Sequence, residues 1–336
     1  MIKLFTHTDL DGIGSAVICK ALKNYVPEFD DVDISYCDPN TINDEMKKFI
    51  TNDEYKKYTN IFITDLSVND EIAKKIDFIN INSPQHHFEL MDHHKTAIYL
   101  NKYTWATVLC EAGSSCKHFN TTTIPCGTSL FYAYIMSKYN NSIPGTLNMK
   151  LKEFTELVRL YDTWEWTTMK NSLISNYSNN MNTLFKLYGR DKFVDSIVKR
   201  IFTTGMAVRW AWWFDEVDNK LLELEHIRNA EYVKSVVDNK IHFGNDSNKN
   251  NFGIVFAERC TNEIGTYVFD NYKGIDYVAV VDIARKTVGL RTRSTKVDVS
   301  EIAKRNGGGG HPQSAGFVIN DEGANLFIRT ISNLLK

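Results

Sequence analysis

The chain has 336 residues, of which 43% are hydrophobic, 12% aromatic and 24% charged. This composition excludes a disordered or fibrous chain and suits two domains, or one large one, with a sizeable buried core. Lysine plus arginine number 39 against 41 aspartate plus glutamate, a net charge of −2. No global basic surface is therefore available to displace counterions along a long nucleic acid, so a nucleic-acid substrate would be short or locally gripped.

The N-terminus passes from a short apolar run, Ile2 to Phe5, straight into polar residues, with no signal-peptide apolar region. No later stretch reaches the roughly 18 apolar residues of a membrane span. The six cysteines, Cys19, Cys37, Cys110, Cys116, Cys126 and Cys260, are scattered without a C-x-x-C pair. They read as reduced thiols of a cytoplasmic protein without membrane contact.

Ile2 to Phe5, Ile61 to Ile63 and Phe88 to Met91 are brief apolar runs, each followed at once by polar residues. Buried parallel strands that end at a ligand-binding edge have this pattern. Helical patterns follow at Ser15 to Leu22 and at Leu151 to Leu160, where Leu151, Phe154, Leu157 and Val158 share one face. Ala112 to Thr128 and Thr167 to Asn182 are rich in small polar residues and read as loops.

From Phe185 to about Asn239 the pattern predicts a helical connector, with Leu221, Leu222, Leu224, Ile227 and Val233 set among charges. Trp210, Trp212 and Trp213 would pack it onto a domain. The stretch FGNDSNKNNF, Phe243 to Phe252, reads as a break. Strand-like runs at Gly253 to Phe256, Tyr277 to Val281 and Val288 to Arg291, then a glycine turn at Gly307 to Gly310, predict a second, smaller α/β domain. The expected division is residues 1–185, a connector over 186–250, and residues 251–336.

Chemistry concentrates at the strand ends. After the first run, His7, Asp9 and Asp11 alternate and point one way if the chain stays extended, with Gly12 and Gly14 allowing a tight turn into a helix. The other reading of these residues is a turn with helix-capping aspartates. The second run ends in Asp65, which taken alone reads as a helix cap. The third ends in Asp92-His93-His94; a bare histidine pair is weak, as His86-His87 shows.

Parallel strands bring their carboxyl ends to one edge, so three such clusters form a constellation. Asp162 adds an acid at a helix C-terminus, where the helix dipole disfavours it. Two carboxylates about 4 Å apart repel by roughly 4 kcal/mol at an effective dielectric of 20, so converging acids call for cations. Oxygen and imidazole ligands without thiolate favour Mn²⁺, Mg²⁺ or Co²⁺, with a bridging aspartate between two ions.

Downstream, Gly307-Gly308-Gly309-Gly310 would wrap backbone N–H groups around an anion, with His311 as a further donor. Arg291 and Arg293 end a strand-like run; a guanidinium suits phosphate, whereas Arg293 also reads as a solvated charge. Tyr161, Trp164 and Trp166 are better read as core packing than as base-stacking groups. His86, His87, His118, His226 and His242 have no partner cluster and read as surface or structural. No Ser-His-Asp order or P-loop appears.

The motifs HTDLDGIGS, FITDLS, LMDHHKTA, LYDTWEW and GGGGHPQSAG, in that order along nearly the whole chain, resemble those of the DHH phosphoesterase superfamily with its C-terminal DHHA1 domain. The LMDHHKTA, ELVRLYDTWEW, GLRT, DVSEIA and GGGGH segments look most like the nanoRNase B type of oligoribonuclease. The resemblance implies a Rossmann-like parallel-sheet N-terminal domain and a smaller C-terminal domain, with the active site in the cleft between.

It also implies two Mn²⁺ ions. His7 and Asp9 would bind one, Asp11, His93 and Asp162 the other, and Asp65 would bridge them. His94 becomes a phosphate ligand, and Asp92 orients the histidines. Arg291, Gly308, Gly309, Gly310 and His311 become substrate contacts. The implied reaction is hydrolysis of short single-stranded oligoribonucleotides to 5′-mononucleotides by a metal-bridging hydroxide. Rival substrates for the same metals are 3′-phosphoadenosine 5′-phosphate and linear or cyclic dinucleotides. A rival of another class is a non-catalytic nucleotide-sensing or RNA-binding module, against which the intact ligand set speaks.

Overall fold

A computed structural model of the chain describes every residue except 117–119, 170–171, 204–212, 321–322, 324, 326–328, 331 and 334–336. His118, Trp210 and Trp212 lie outside the described residues. Contacts divide the chain into two units, Met1–Asn219 and Lys220–Lys336. The stretch expected as a separate connector, residues 186–250, contributes to both.

In the first unit the strands are β1 (Ile2–Thr6), β2 (Val32–Tyr36), β3 (Asn60–Thr64), β4 (His87–Asp92) and β5 (Ala106–Val108). They form a parallel sheet in the order β2-β1-β3-β4-β5. The helices are α1 (Leu10–Ala21), α2 (Ile42–Thr51), α3 (Asp70–Asn82), α4 (Gly127–Tyr139), α5 (Gly145–Asp162), α6 (Leu173–Tyr188) and α7 (Arg190–Thr203).

Successive strand residues face opposite sides. Phe5, Ile61, Ile63, Phe88 and Leu90 pack with Met46 and Phe49 of α2 and Ile72 and Ile76 of α3. On the other side Phe62 meets Phe131 of α4, ring centroids 5.3 Å apart, and α1 packs against α4 and α5. Each fully buried side chain of this kind contributes roughly 1.5–3 kcal/mol. Because α1 lies on one face and α2 and α3 on the other, the strand order reverses between β1 and β3. Open parallel sheets bind ligands in the crevice outside the carboxyl ends at such a reversal, and His7 and Asp65 follow these two strands directly.

Two expectations change in this unit. Most of Thr167 to Asn182 is not a loop, because α6 begins at Leu173 and runs on past Asn182. Ser172 caps it, its hydroxyl accepting from Ser175 N at 3.2 Å. The polar side chains are bonded in place: buried Ser178 Oγ donates to the Leu157 carbonyl at 2.7 Å and Asn182 Nδ2 to the Tyr161 hydroxyl at 2.7 Å. Packing against α5 thereby overrides weak helix propensity. Trp213 is fully buried and meets Phe154 at 5.6 Å, as a packing residue should.

The helix α8 (Glu216–Val237) spans the division between the units. Of its apolar residues Leu222 and Val233 are buried, whereas Leu224 and Ile227 are exposed. Then come β6 (His242–Asn245), β7 (Asn251–Phe256), α9 (Thr261–Asn271), β8 (Tyr277–Asp282), β9 (Thr287–Thr292), α10 (Val299–Arg305), β10 (Gly309–His311) and β11 (Ser314–Val318). The sheet order is β10-β11-β9-β8-β7-β6, with β7 and β8 parallel and the other pairs antiparallel.

The expected break at Phe243 to Phe252 is a hairpin joining β6 to β7. Its turn is closed by Asp246, whose carboxylate accepts from the amides of Asn248 and Asn250, each at 2.9 Å. No helix among the described residues is long and apolar enough to cross a membrane.

Candidate metal centre

β1 and β3 are held side by side beneath the site, where Thr64 Oγ1 donates to Thr6 Oγ1 at 2.8 Å and Thr6 Oγ1 to the Gly12 carbonyl at 2.7 Å. His7 follows β1, but the chain does not stay extended past it. Asp9 is the N-cap of α1, accepting from Gly12 N at 3.1 Å, and Asp11 lies in the first turn. The capping reading is thus correct for Asp9, and the alternation argument fails for Asp11. The two acids still reach the site: Asp9 Oδ2 lies 3.1 Å from His7 Nδ1, and Asp11 Oδ2 lies 3.4 Å from His93 Nε2.

Asp65 is no helix cap; Asn69 caps α3, with its side chain accepting from Ile72 N at 3.0 Å. Asp65 instead adopts φ +55°, a left-handed conformation that aspartate tolerates better than most residues. This turn points Oδ1 at His93 Nε2, 3.1 Å away, and Oδ2 at His7 Nδ1, 3.5 Å away. Asp162 is the last residue of α5, its Oδ2 3.6 Å from His93 Nδ1.

Two sets of ligand atoms, His7 with Asp9 and Asp65, and Asp11 with His93 and Asp162, each lie within 4.8 Å of one another. Asp65 touches both sets. Asp92 is completely buried at the end of β4; its Oδ1 accepts from His93 N at 2.8 Å and from His94 Nδ1 at 2.7 Å. Of the two His94 nitrogens, Nε2 is the one Asp92 does not hold. Asp65, Asp11 and His93 are buried, while Asp9 is half exposed, so the centre opens on one side.

The electrostatics follow from this crowding. Burial opposes charge on His7, yet hydrogen bonds to Asp65 and Asp9 outweigh it and push its pKa up to about 11. His93 is likewise raised: burial opposes, and Asp162, Asp65 and Asp11 prevail. Burial, then the charges of Asp65 and Asp162, raise Asp11 well above the usual carboxylate range. Burial lifts Asp162 to about 6, with His93 opposing and Asp65 adding. Asp65 goes the other way: burial is outweighed by hydrogen bonds from His7 and His93, which hold it far below the ordinary range.

Protonated histidines thus supply the positive charge that four converging carboxylates demand, and divalent cations would supply it better. The residues fit such ions: buried Asp65 Oδ2 has only a long contact to His7 Nδ1, 3.5 Å away, and the oxygen and imidazole donors suit Mn²⁺, Mg²⁺ or Co²⁺. Burial pushes the thiol of the nearby Cys126 well above its ordinary range.

In the second unit the glycine run is less open than expected. α10 ends in a Schellman cap, in which Gly307 N donates to the Lys304 carbonyl at 3.1 Å and Gly308 N to the Ala303 carbonyl at 2.9 Å. Gly307 takes φ +77° there. The amides of Gly307 and Gly308 are therefore spent on the helix end, and the expected cradle is narrower than four residues. Gly309, Gly310 and His311 form β10.

Register pairs His311 with Ser314 and Ser314 with Arg291, placing the three in one cross-strand row on a common face. Arg291 Nε donates to Asn262 Oδ1 at 2.6 Å. Arg293 is not merely solvated, as Nη1 pairs with Asp270 at 2.6 Å. Trp164 is buried and Tyr161 stacks on Trp166 at 6.0 Å, in accord with packing roles. His86 bonds the Tyr58 carbonyl and His87 bonds Glu89, both structural contacts.

Residues 250–336 match the model of the DHHA1 domain family. Over 334 residues the chain is 32% identical to oligoribonuclease NrnB of Bacillus subtilis (strain 168), covering 98% of this chain and 75% of that protein. The chain belongs to the DHH/DHHA1 phosphoesterase family. Its fold is similar to that of the pGpG-specific phosphodiesterase PggH of Vibrio cholerae, at a TM-score of 0.51 and 14% identity, covering 98% of this chain and 97% of that one.

The family motifs account for the six candidate ligands and not for what holds Asp11. Its carboxylate accepts from Gly127 N at 2.6 Å and Thr128 N at 2.8 Å, and its carbonyl accepts from Thr128 Oγ1. These amides open α4, where the helix dipole favours an anion. They lie at the end of the stretch read as a loop. The available signal was Cys-Gly-Thr-Ser before the apolar Leu130-Phe131, a helix start.

Gly127 has no room for a side chain, since a Cβ would lie 2.5 Å from Asp65 Cβ and 2.9 Å from Asp65 Cα. Gly127→Ala should cost about 1–3 kcal/mol in urea unfolding, as overpacking does, and should weaken Mn²⁺ binding by displacing Asp65 or the donors to Asp11. Unchanged values of both would show that the close approach does not constrain the centre.

Proposed function

We propose that the chain hydrolyses short oligoribonucleotides to 5′-mononucleotides with the aid of two divalent cations, Mn²⁺ foremost. The observation that carries this reading is the convergence of His7, Asp9 and Asp65 with Asp11, His93 and Asp162, Asp65 being common to both sets. His7 and Asp9 would hold one ion, Asp11, His93 and Asp162 the other, and Asp65 both. Bound there, the ions would lower the pKa of water and neutralise charge developing on phosphoryl oxygens.

The protein's own residues would do the rest. Asp92 fixes the His94 ring through Nδ1, and Nε2 is the atom that would donate to a phosphate oxygen. Asp11, held by two backbone amides, and Asp65, fixed by its turn, need no rearrangement to receive cations, a preorganisation that favours tight binding. In the second unit the row of Arg291 and His311, with Gly310 and the open-faced Gly309 beside it, would bind the nucleotide; Gly308 is packed against Gly316 and Phe317 instead. A guanidinium forks onto phosphate oxygens. A near-neutral chain accords with short substrates rather than long strands. Six free thiols accord with a reducing compartment, the cytoplasm.

The test is product analysis with a 3′-labelled pentaribonucleotide and a panel of 3′-phosphoadenosine 5′-phosphate and linear and cyclic dinucleotides. Mn²⁺-dependent release of 5′-mononucleotides, fastest on the short RNA, is the expected result. Turnover of a panel member but not the RNA, or binding without turnover, would overturn it.

A further inference from the structure

Arg159 lies on α5 one turn before Asp162 and is 4% exposed. Its guanidinium joins three pieces of chain. Nε and Nη2 donate to Glu156 Oε2 and Oε1 at 2.9 and 2.7 Å, and Nη1 donates both to Glu165 Oε1 at 2.9 Å and to the Ile124 carbonyl at 3.0 Å. The Arg159 carbonyl accepts from the amide and the hydroxyl of Thr163, each at 2.9 Å. Glu165 follows Trp164, where φ +62° turns the chain sharply just past the end of α5.

Ile124 stands three residues before Gly127, whose amide, with that of Thr128, carries the Asp11 carboxylate. Asp11 and Asp162 flank His93 from opposite ring nitrogens. We infer that Arg159 is a positioning residue for the Asp11–His93–Asp162 set: it ties the segment that holds Asp11 to the helix end that carries Asp162, and so fixes the span across which a cation is gripped. This rests on the reading of that set as a cation site. A planar fork with donors in several fixed directions can tie these pieces together, whereas an ammonium cannot. Glu156 and Glu165 together outweigh its charge, so the tie adds no net repulsion toward an incoming cation.

The experiment is calorimetric titration of Mn²⁺ into the chelator-treated full chain, wild type against Arg159→Lys, Arg159→Gln and Phe193→Leu. Phe193 is fully buried in α7, where it meets Phe185 at 5.6 Å; it serves as a control that lowers stability without touching the centre. Arg159→Lys is expected to weaken one of the two binding events by roughly 10–100-fold, the usual effect of losing a group that orients ligands, and to leave the other unchanged. Arg159→Gln should do the same more strongly, and kcat at saturating Mn²⁺ should be retained in Arg159→Lys. Phe193→Leu should lower the melting temperature and move neither event.

Wild-type affinities in Arg159→Lys, or equal weakening of both events in Arg159→Lys and Phe193→Leu, would overturn the inference while leaving the cation site standing. A wild type that takes up no Mn²⁺ would remove the cation site itself, and the inference with it.

Discussion

Asp65→Asn is expected to lower kcat/KM on a short oligoribonucleotide by about 10³-fold or more while the chain still folds. The magnitude follows because the Asp65 carboxylate faces both ligand sets, one oxygen toward His7 and the other toward His93. An ion that stabilises transition-state charge is worth several kcal/mol, and each 1.4 kcal/mol is tenfold in rate. Folding should survive because asparagine, like aspartate, accepts the left-handed φ of +55° found there. The pair of measurements is circular dichroism with thermal melting, and steady-state turnover with Mn²⁺ calorimetry. Turnover within tenfold of wild type, in a variant that is folded, would dismiss Asp65 as the shared ligand.

The second large effect is that of removing the ions. Chelation should abolish turnover, and it should also change how stability depends on pH. In the ion-free protein the folded-state pKa of His7, about 11, lies above its ordinary 6.5. Its contribution is therefore fully present below pH 6.5 and declines as pH rises toward 11. Asp162, raised to about 6 from 3.8, has the same sign, its contribution being lost between those values. Ion-free stability should then fall between pH 7 and 8.5.

Cation binding displaces these protons, so Mn²⁺ affinity should rise over the same interval. At a hundredfold excess over Kd, binding adds about 2.7 kcal/mol, or roughly 5–10 °C in melting temperature for a unit of this size. Thermal melts at pH 7 and 8.5, with chelator and with Mn²⁺, would show this as a stability that falls with pH without the ion and stays nearly level with it. Parallel slopes would mean that protons and ions do not compete for these groups.

Much of the centre was legible because strands buried on both faces announce themselves as apolar runs, and the residue after each run is fixed at the sheet edge. His7, Asp65 and His93 were placed by that rule alone. β2 and β5 were not seen, the first because an edge strand reading VDISY is only partly buried, the second because three residues make no pattern. α6 was hidden by serines and asparagines whose helix is stabilised by what they bond across to α5. The donors to Asp11 were invisible for a different reason: backbone amides carry no letter, and which ones face a carboxylate depends on how α4 is set against α1. The glycine run misled because its first two amides answer a helix end, α10, whose marks are the cap Asp298, the basic Lys304 and Arg305 and Gly307 itself.

The residues proposed to share the ions are spread from His7 to Asp162, and only His7, Asp9 and Asp11 are neighbours in sequence. A ribosome-bound chain, emerging N-terminus first, has the His7, Asp9 and Asp65 set once β3 is in place, but the Asp11, His93 and Asp162 set only when α5 has been made and docked. An ion at that second set would therefore not seed the folding of this unit, in contrast to zinc fingers, which fold around their ion. Loading of that set would then follow assembly, and a protein short of the cation would stay folded and idle until the ion is resupplied.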